Sequence, residues 1–322
     1  MVATVKLNNG KSMPLVGYGI WKVPRENAAE SVYNAIKLGY RHIDGAYDYT
    51  NSREAGQGVQ RAIAEGIIKR EDIFVTSKLW NNYHKKQHVQ EMGQFEVDAW
   101  GIGYLDLYLI HFPISLKYIA HSELNWPCFW TDKEQTKPTP LDPTPLSETW
   151  AAMESLVDQG LVRSIGVANF NAQLLYDLLS YARIPPAVNQ VEHHPYLVQP
   201  NLIKMCQESG ITVTAYSSFG PQSFIELNNT DALKVEPLFA QASVARVAGK
   251  HGKTPAQVLL RWATQRGIVV IPKSNSVDRL KQNLESTDFD LAPEEIDEIA
   301  SLDKRLRFNQ PSDISPQYRI FD

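Results

Sequence analysis

Several residues that can carry protons or charge stand where short apolar runs end. Asp44 closes Arg41-His42-Ile43, with Tyr49 just beyond, and Lys78 closes Ile73-Phe74-Val75-Thr76-Ser77. His111 follows Leu107-Tyr108-Leu109-Ile110, and Gln190, Glu192, Tyr216 and Lys273 end later runs. Singly, each has an ordinary explanation: a salt bridge for Asp or Lys, a turn for Tyr, a hydrogen-bonded core position for His. As a set they fit one job, which is proton delivery. A tyrosine hydroxyl, with a reference pKa of about 10, gives up its proton reluctantly at neutral pH. A lysine ammonium beside it favours the phenolate, and a carboxylate such as Asp44 would keep that lysine charged and oriented. A histidine nearby could donate to, or orient, a carbonyl oxygen. The four together would make a general acid and a polarising donor for an oxygen that becomes an alkoxide as hydride arrives.

The elements that must position them alternate along the chain. Val5-Lys6-Leu7, Asn8-Asn9-Gly10 and Met13-Pro14-Leu15-Val16-Gly17 read as a hairpin around an Asn-Gly turn. Strand candidates follow at 15–20, 41–44, 73–79, 105–110, 162–167, 187–192, 212–216 and 269–271, mostly apolar throughout, as in a buried parallel sheet. Amphipathic stretches at 30–38, 53–65, 146–159, 172–182 and 201–209 lie between them. About eight such units behind a hairpin indicate an α/β protein of the (β/α)8 TIM-barrel type, although periodicity alone leaves an open sheet almost equally acceptable. In a barrel, every strand-end residue named above reaches the C-terminal face. Long irregular stretches at 112–145, 219–238 and beyond 302 would supply that face with loops. With no linker or repeat, residues 1–322 read as one domain.

Composition narrows the function class. A net charge of -4 offers no basic field for nucleic acid or an anionic membrane, and no run approaches the roughly 18 apolar residues of a membrane span. Cys128 and Cys206 are too few and too scattered for a disulfide framework or a zinc site, so no metal is expected. The N-terminus lacks the pattern of a signal peptide, which makes the expected location cytoplasmic.

Hydride transfer requires a cofactor. Gly17-Tyr18-Gly19 and Gly101-Ile102-Gly103 both lack the third glycine and the strand-to-helix setting of a Rossmann fingerprint. Ile271-Pro272-Lys273-Ser274-Asn275-Ser276-Val277-Asp278-Arg279 runs instead from a strand into a helix, with capping side chains and two cations, which suits a phosphate. An ordinary capped helix with exposed basic residues explains the same segment taken alone. His193-His194 invites a metal reading, but neighbours on a strand point to opposite faces.

These motifs resemble the aldo-keto reductases over almost the whole chain. Gly39-Tyr40-Arg41-His42-Ile43-Asp44-Gly45-Ala46 with Tyr49 is similar to the family's first signature. Residues 153–170, from Met153-Glu154 to Asn169-Phe170, resemble the second, and Ile271-Pro272-Lys273-Ser274 with Arg279 the third. The resemblance implies a catalytic tetrad of Asp44, Tyr49, Lys78 and His111, with Tyr49 as the acid. It implies that Asn169 and Gln190 hold the nicotinamide carboxamide and that Tyr216 stacks on the ring. Ser217, Ser218, Lys273, Ser274, Asn275, Arg279, Gln282 and Asn283 would then take the phosphates, ribose and adenine. Lys78-Leu79-Trp80-Asn81-Asn82, His111-Phe112-Pro113-Ile114, Glu192-His193-His194-Pro195-Tyr196, Ser218-Phe219-Gly220-Pro221-Gln222-Ser223-Phe224 and Leu306-Arg307-Phe308-Asn309 resemble the fungal xylose and L-arabinose reductases of that family. In that subgroup Trp21, Asp48, His111 and Asn309 match positions lining the sugar site. Three positions depart from the pattern: Ala168 replaces a usual Ser, and Thr50 and Ser52 replace a usual Gly and Glu.

The implied activity is an NADPH-preferring reduction of an aldopentose, D-xylose or L-arabinose, to its pentitol, with NADH as the alternative donor. The expected partner is a small sugar aldehyde, and the expected assembly a monomer or homodimer. A broad aldehyde or ketone reductase of the same family is the competing enzyme reading. A nicotinamide-binding regulatory barrel without turnover is the competing reading from another class, and the intact Asp44, Tyr49, Lys78 and His111 speak against it.

Overall fold

The computed structural model describes residues 2–123 and 129–321. Cys128 lies outside them, and Cys206 is a buried free thiol. The strands are Thr4–Lys6 (β1), Ser12–Pro14 (β2), Tyr18–Gly19 (β3), His42–Asp44 (β4), Phe74–Leu79 (β5), Leu107–Ile110 (β6), Ile165–Ala168 (β7), Val188–Glu192 (β8), Thr212–Tyr216 (β9) and Val269–Val270 (β10). β3 to β10 form one sheet in chain order. The chain divides into two compact units.

The first unit comprises Met1–Gly19, Asn34–Ile43 and Gln190–Asn309. Its hairpin pairs β1 with β2 antiparallel, Thr4 opposite Pro14. Gly10 makes the reversal at φ +81°, a region open to glycine without steric cost. The run expected to extend to Gly17 splits: Ser12–Pro14 stays with the hairpin, Leu15 keeps its N–H on Ala3 O at 2.9 Å but turns its carbonyl to β10, and Gly17 bonds to β10. Val270 N–H donates to Leu15 O and Gly17 N–H to Val270 O, each at 2.8 Å, and β10 itself lies parallel to β9. The run into β3 therefore returns to the last strand. A first run paired to the last strand is what the (β/α)8 topology has and an open sheet lacks.

The second unit comprises Ile20–Tyr33, Asp44–Asn189 and Gln310–Asp322. β5 pairs parallel with β6, Lys78 opposite Leu109, and β6 with β7, Leu109 opposite Gly166. Its irregular stretch after β6 is held by bridges Leu116–Leu141 and Trp130–Pro138. The tail is pinned to that stretch by the buried Tyr318 hydroxyl, which donates to Thr139 O at 2.6 Å.

All five expected helices are present, as Arg25–Leu38, Ser52–Ala64, Leu146–Asp158, Ala172–Tyr181 and Pro200–Glu208. Lys86–Trp100 escaped the pattern because Glu96 sits on its buried face among Val89, Met92, Val97 and Trp100. Pro255–Thr264 escaped because seven of its residues are buried and no polar stripe marks an outer face. Its start is nonetheless encoded: Thr254 caps it, accepting Gln257 N–H at 3.2 Å, while the Gln257 side chain accepts Thr254 N–H at 3.0 Å. The stretch 219–238, expected to be irregular, contains short turns at Gly220–Ser223 and Ile225–Leu227 and the helix Thr230–Lys234.

Candidate active site

In the second unit, parallel pairing brings the C-terminal ends of β5 and β6 to one side, with Asp44 beside them. Asp44 is the last residue of β4, Lys78 the penultimate residue of β5, and His111 follows β6 directly. Tyr49 closes the short turn Tyr47–Tyr49 just after β4. Lys78 Nζ donates to Asp44 Oδ1 at 2.6 Å, to Gly45 O at 2.8 Å and to the Tyr49 hydroxyl at 3.3 Å. All three ammonium donors are thus directed, and the Lys78 and Asp44 side chains are 0% and 1% exposed. Burial pulls the Lys78 ammonium below its ordinary range, and the Asp44 carboxylate opposes that pull. The His111 ring meets the Tyr49 ring edge-on at 6.0 Å between centroids. Burial, then the Lys78 charge, drives the His111 imidazole well below its usual range, so it is neutral at pH 7 with one N–H to donate. Trp80 approaches His111 edge-on at 5.2 Å and Phe112 stacks on it at 5.0 Å, while Phe129 packs on Trp80 at 4.8 Å. These aromatics give the donors an apolar setting, where hydrogen bonds to developing charge are strongest. Trp21 and Asp48 are half-buried in the same unit.

Asn169 stands just past β7 at φ +65° and donates from Nδ2 to His111 O at 2.8 Å. That bond fixes the amide's orientation and ties it to the histidine. Ala168 is buried at the end of β7. Thr50 adopts φ +57° directly after Tyr49. The usual glycine there would enter that region freely, whereas a β-branched residue is strained.

Behind β5 lies a carboxyl group that motif reasoning missed. Glu96 accepts Ser77 Oγ at 2.5 Å and Ser52 Oγ at 3.0 Å. It is buried, and burial pushes its pKa up to about 7 against the pull of those hydroxyls. Ser52, which stands where the family usually has Glu, therefore still meets a carboxyl group, supplied by another helix. An acidic residue on the mostly apolar inner face of a helix was the available signal.

The first unit carries most residues expected to meet the cofactor. Gln190 is buried in β8, and Tyr216 ends β9 with its hydroxyl accepting Asn309 Nδ2 at 3.0 Å. Burial raises the Tyr216 hydroxyl above the ordinary phenol range. Ser217 takes φ +53°, and Ser218 is buried with Oγ 3.4 Å from Ala215 O. After β10, Ser274 Oγ accepts Ser276 N–H at 3.1 Å, and Ser276 Oγ caps Val277–Leu284 by accepting Arg279 N–H at 3.4 Å. The expected capping side chain is thus Ser276, and Ser274 braces it. Asn275 is exposed, Gln282 half-buried and Asn283 buried. Among the described residues Lys273 and Arg279 form no ion pair. Two cations uncommitted to carboxylates, beside a helix N-terminus, fit a phosphate-bearing group. His193 and His194 take different partners, Arg266 at 2.8 Å and Glu192 at 2.8 Å.

A strand-end Lys–Asp–Tyr–His cluster on a (β/α)8 chain with an N-terminal hairpin defines a recognisable class of oxidoreductase. The Aldo/keto reductase family model matches residues 7–304, and the chain belongs to that family. It is 64% identical, over 99% of both chains, to the NAD(P)H-dependent pentose reductase of Pyricularia oryzae. It is 55% identical, over 96% of both, to the NAD(P)H-dependent D-xylose reductase of Aspergillus niger. The aldose reductase structure from Schistosoma japonicum superposes with a TM-score of 0.87 at 37% identity over 99% of both chains, which establishes the (β/α)8 fold with its hairpin.

Proposed function

We propose that the chain reduces an aldopentose, D-xylose or L-arabinose, to its pentitol, preferring NADPH and accepting NADH. The observation that carries this reading is the Tyr49 hydroxyl 3.3 Å from a Lys78 ammonium that is itself locked to Asp44 at 2.6 Å. When bound, the nicotinamide supplies a hydride to the carbonyl carbon. Tyr49 delivers its proton to the carbonyl oxygen as negative charge grows there, and the Lys78 charge stabilises the phenolate left behind. Neutral His111 donates its N–H to the same oxygen and sets the aldehyde's orientation. Asn169 and Gln190 hold the carboxamide and Tyr216 faces the ring; Ser217, Ser218, Ser274, Asn275, Gln282 and Asn283 hold ribose, phosphates and adenine. Lys273 and Arg279 meet the 2′-phosphate that distinguishes NADPH. Trp21 walls the sugar site, and Asp48 and Asn309 take sugar hydroxyls.

The relatives named for pentose and D-xylose reduction support the substrate class, and their NAD(P)H-dependence supports the cofactor choice. Among the described residues no helix is long and apolar enough to cross a membrane. The deciding experiment measures kcat/KM for D-xylose, L-arabinose and hydroxyl-free aldehydes with NADPH and with NADH. The reading expects pentose turnover with the higher kcat/KM on NADPH. Efficient turnover of simple aldehydes without pentose turnover would replace it with a broad aldehyde reductase.

A further inference from the structure

Glu192 ends β8 in the first unit, and its side chain is 0% exposed. A carboxylate in that position needs donors, because burying a charge without them is strongly unfavourable. It has three. The Phe308 N–H donates to Oε1 at 2.9 Å, the Asn309 N–H to Oε2 at 2.8 Å, and His194 Nε2 to Oε1 at 2.8 Å. Two consecutive backbone amides thus bind the two oxygens of one carboxylate, which fixes the peptide plane between them as well as its position.

The segment around these amides is held at further points. The Phe308 carbonyl accepts Asn229 Nδ2 at 3.2 Å, and its ring packs on His194 at 5.5 Å and on Phe224 at 5.8 Å. Upstream, Lys304 and Leu306 N–H groups both donate to Tyr196 O, at 3.2 and 2.9 Å, and Arg307 reaches Gln199 Oε1 at 3.0 Å. The one side chain that projects from this clamp with an amide to offer is Asn309, whose Nδ2 lies 3.0 Å from the Tyr216 hydroxyl. A loop residue can discriminate a hydroxylated substrate only if its amide is held to within a fraction of an ångström. Segment 304–309 contains no helix or strand, so that precision must come from outside it.

We propose that Glu192 is a positioning residue for sugar discrimination: its carboxylate anchors the Phe308 and Asn309 amides and thereby sets the Asn309 side chain against the pentose hydroxyls. The inference rests on the pentose reading of Asn309 given above. It extends that reading to a residue on a different strand that need not touch the substrate. Glu192→Gln keeps the shape, yet places an amide NH2 against one of the two backbone N–H groups, so one anchor bond is lost and a repulsive contact replaces it. Glu192→Asp keeps the charge at shorter reach.

The experiment measures kcat/KM for D-xylose and for pentanal, a five-carbon aldehyde without hydroxyls, in wild type, Glu192→Gln, Glu192→Asp, Asn309→Ala and the Glu192→Gln/Asn309→Ala double variant. Amide hydrogen exchange of the peptide containing 304–309 is followed in parallel. In Glu192→Gln the xylose-to-pentanal ratio of kcat/KM should fall at least tenfold, chiefly through KM for xylose, with faster exchange in 304–309. Glu192→Asp should recover part of both. The double variant should be no worse on that ratio than Asn309→Ala, because the anchor has nothing left to position. Equal losses on both aldehydes, or an additive loss in the double variant, would overturn the positioning role. Unchanged exchange in Glu192→Gln would overturn the anchor itself, and should that variant not fold, Glu192→Asp with an unchanged ratio and exchange overturns it equally. An Asn309→Ala enzyme with an unchanged ratio would instead locate the failure in the pentose reading of Asn309, and the discriminating role of Glu192 would fall with it.

Discussion

Lys78 Nζ and Asp44 Oδ1 lie 2.6 Å apart with neither side chain accessible to water. Burial there pulls the ammonium toward its neutral form, and the carboxylate opposes that pull, favouring the cation beside Tyr49. The pair therefore serves the tyrosine, and its arrangement gives a first prediction. Lys78→Met should cut kcat by about 10²–10⁴-fold, the usual worth of a general-acid contribution. It should also destabilise the fold, since removing one partner of a buried pair costs about 3–5 kcal/mol. Urea unfolding and steady-state rates test both; a variant with wild-type kcat would make the lysine purely structural.

Glu96 gives a stability prediction with a definite sign. Its pKa is about 7 in the fold, against 4.5 as the ordinary value. The folded state therefore binds the proton more tightly than the unfolded chain. The stability linked to that proton is complete below pH 4.5 and is lost as pH rises through 7. Glu96→Gln keeps an acceptor for Ser52 and Ser77 without a charge to bury. Relative to wild type it should gain stability between pH 5 and 8, by an amount on the order of 3 kcal/mol at the upper end. Melting curves of both proteins across that range provide the test, and a constant difference would contradict the account.

Thr50 at φ +57° stores strain next to the acid. Such a conformation costs a non-glycine residue about 1–3 kcal/mol, part of which glycine would return as unfolded-chain entropy. Thr50→Gly should raise stability by about 1 kcal/mol. Chemical denaturation measures it; a loss of stability would show that the threonine side chain stabilises the turn more than its backbone strains it.

Cofactor choice rests on Lys273 and Arg279. Arg279→Ala should weaken NADPH binding about tenfold or more and NADH binding little, as expected for one lost charge-assisted contact. Fluorescence titration with each cofactor decides it. Equal losses on both would mean that Arg279 does not read the 2′-phosphate.

Much of this arrangement was legible in the sequence because parallel strands leave a simple trace. An apolar run ending in Asp44, Lys78 or His111 states both the strand and the residue at its mouth, and the helices with one apolar stripe appear at their expected places. What stayed hidden depends on long-range partners. Glu96 looked like an interruption of a helix face until Ser52 and Ser77 were seen to meet it. Pro255–Thr264 lacks a polar stripe because neighbours cover nearly all of it. Glu192 was visible as a strand-end carboxylate, but its partners lie more than a hundred residues away at Phe308 and Asn309. The turn at Tyr49 was readable only as a departure, Thr for Gly, whose consequence is a backbone angle.

On the proposed function, Tyr49 supplies the proton to a pentose aldehyde. The most direct test is Tyr49→Phe, which removes one hydroxyl and leaves the ring, with NADPH affinity and single-turnover D-xylose reduction measured on the same preparation. NADPH affinity should stay within about a factor of three of wild type, a difference under 1 kcal/mol. The hydride-transfer rate should fall by about 10²–10⁴-fold or more. A near-normal single-turnover rate in Tyr49→Phe would contradict that role.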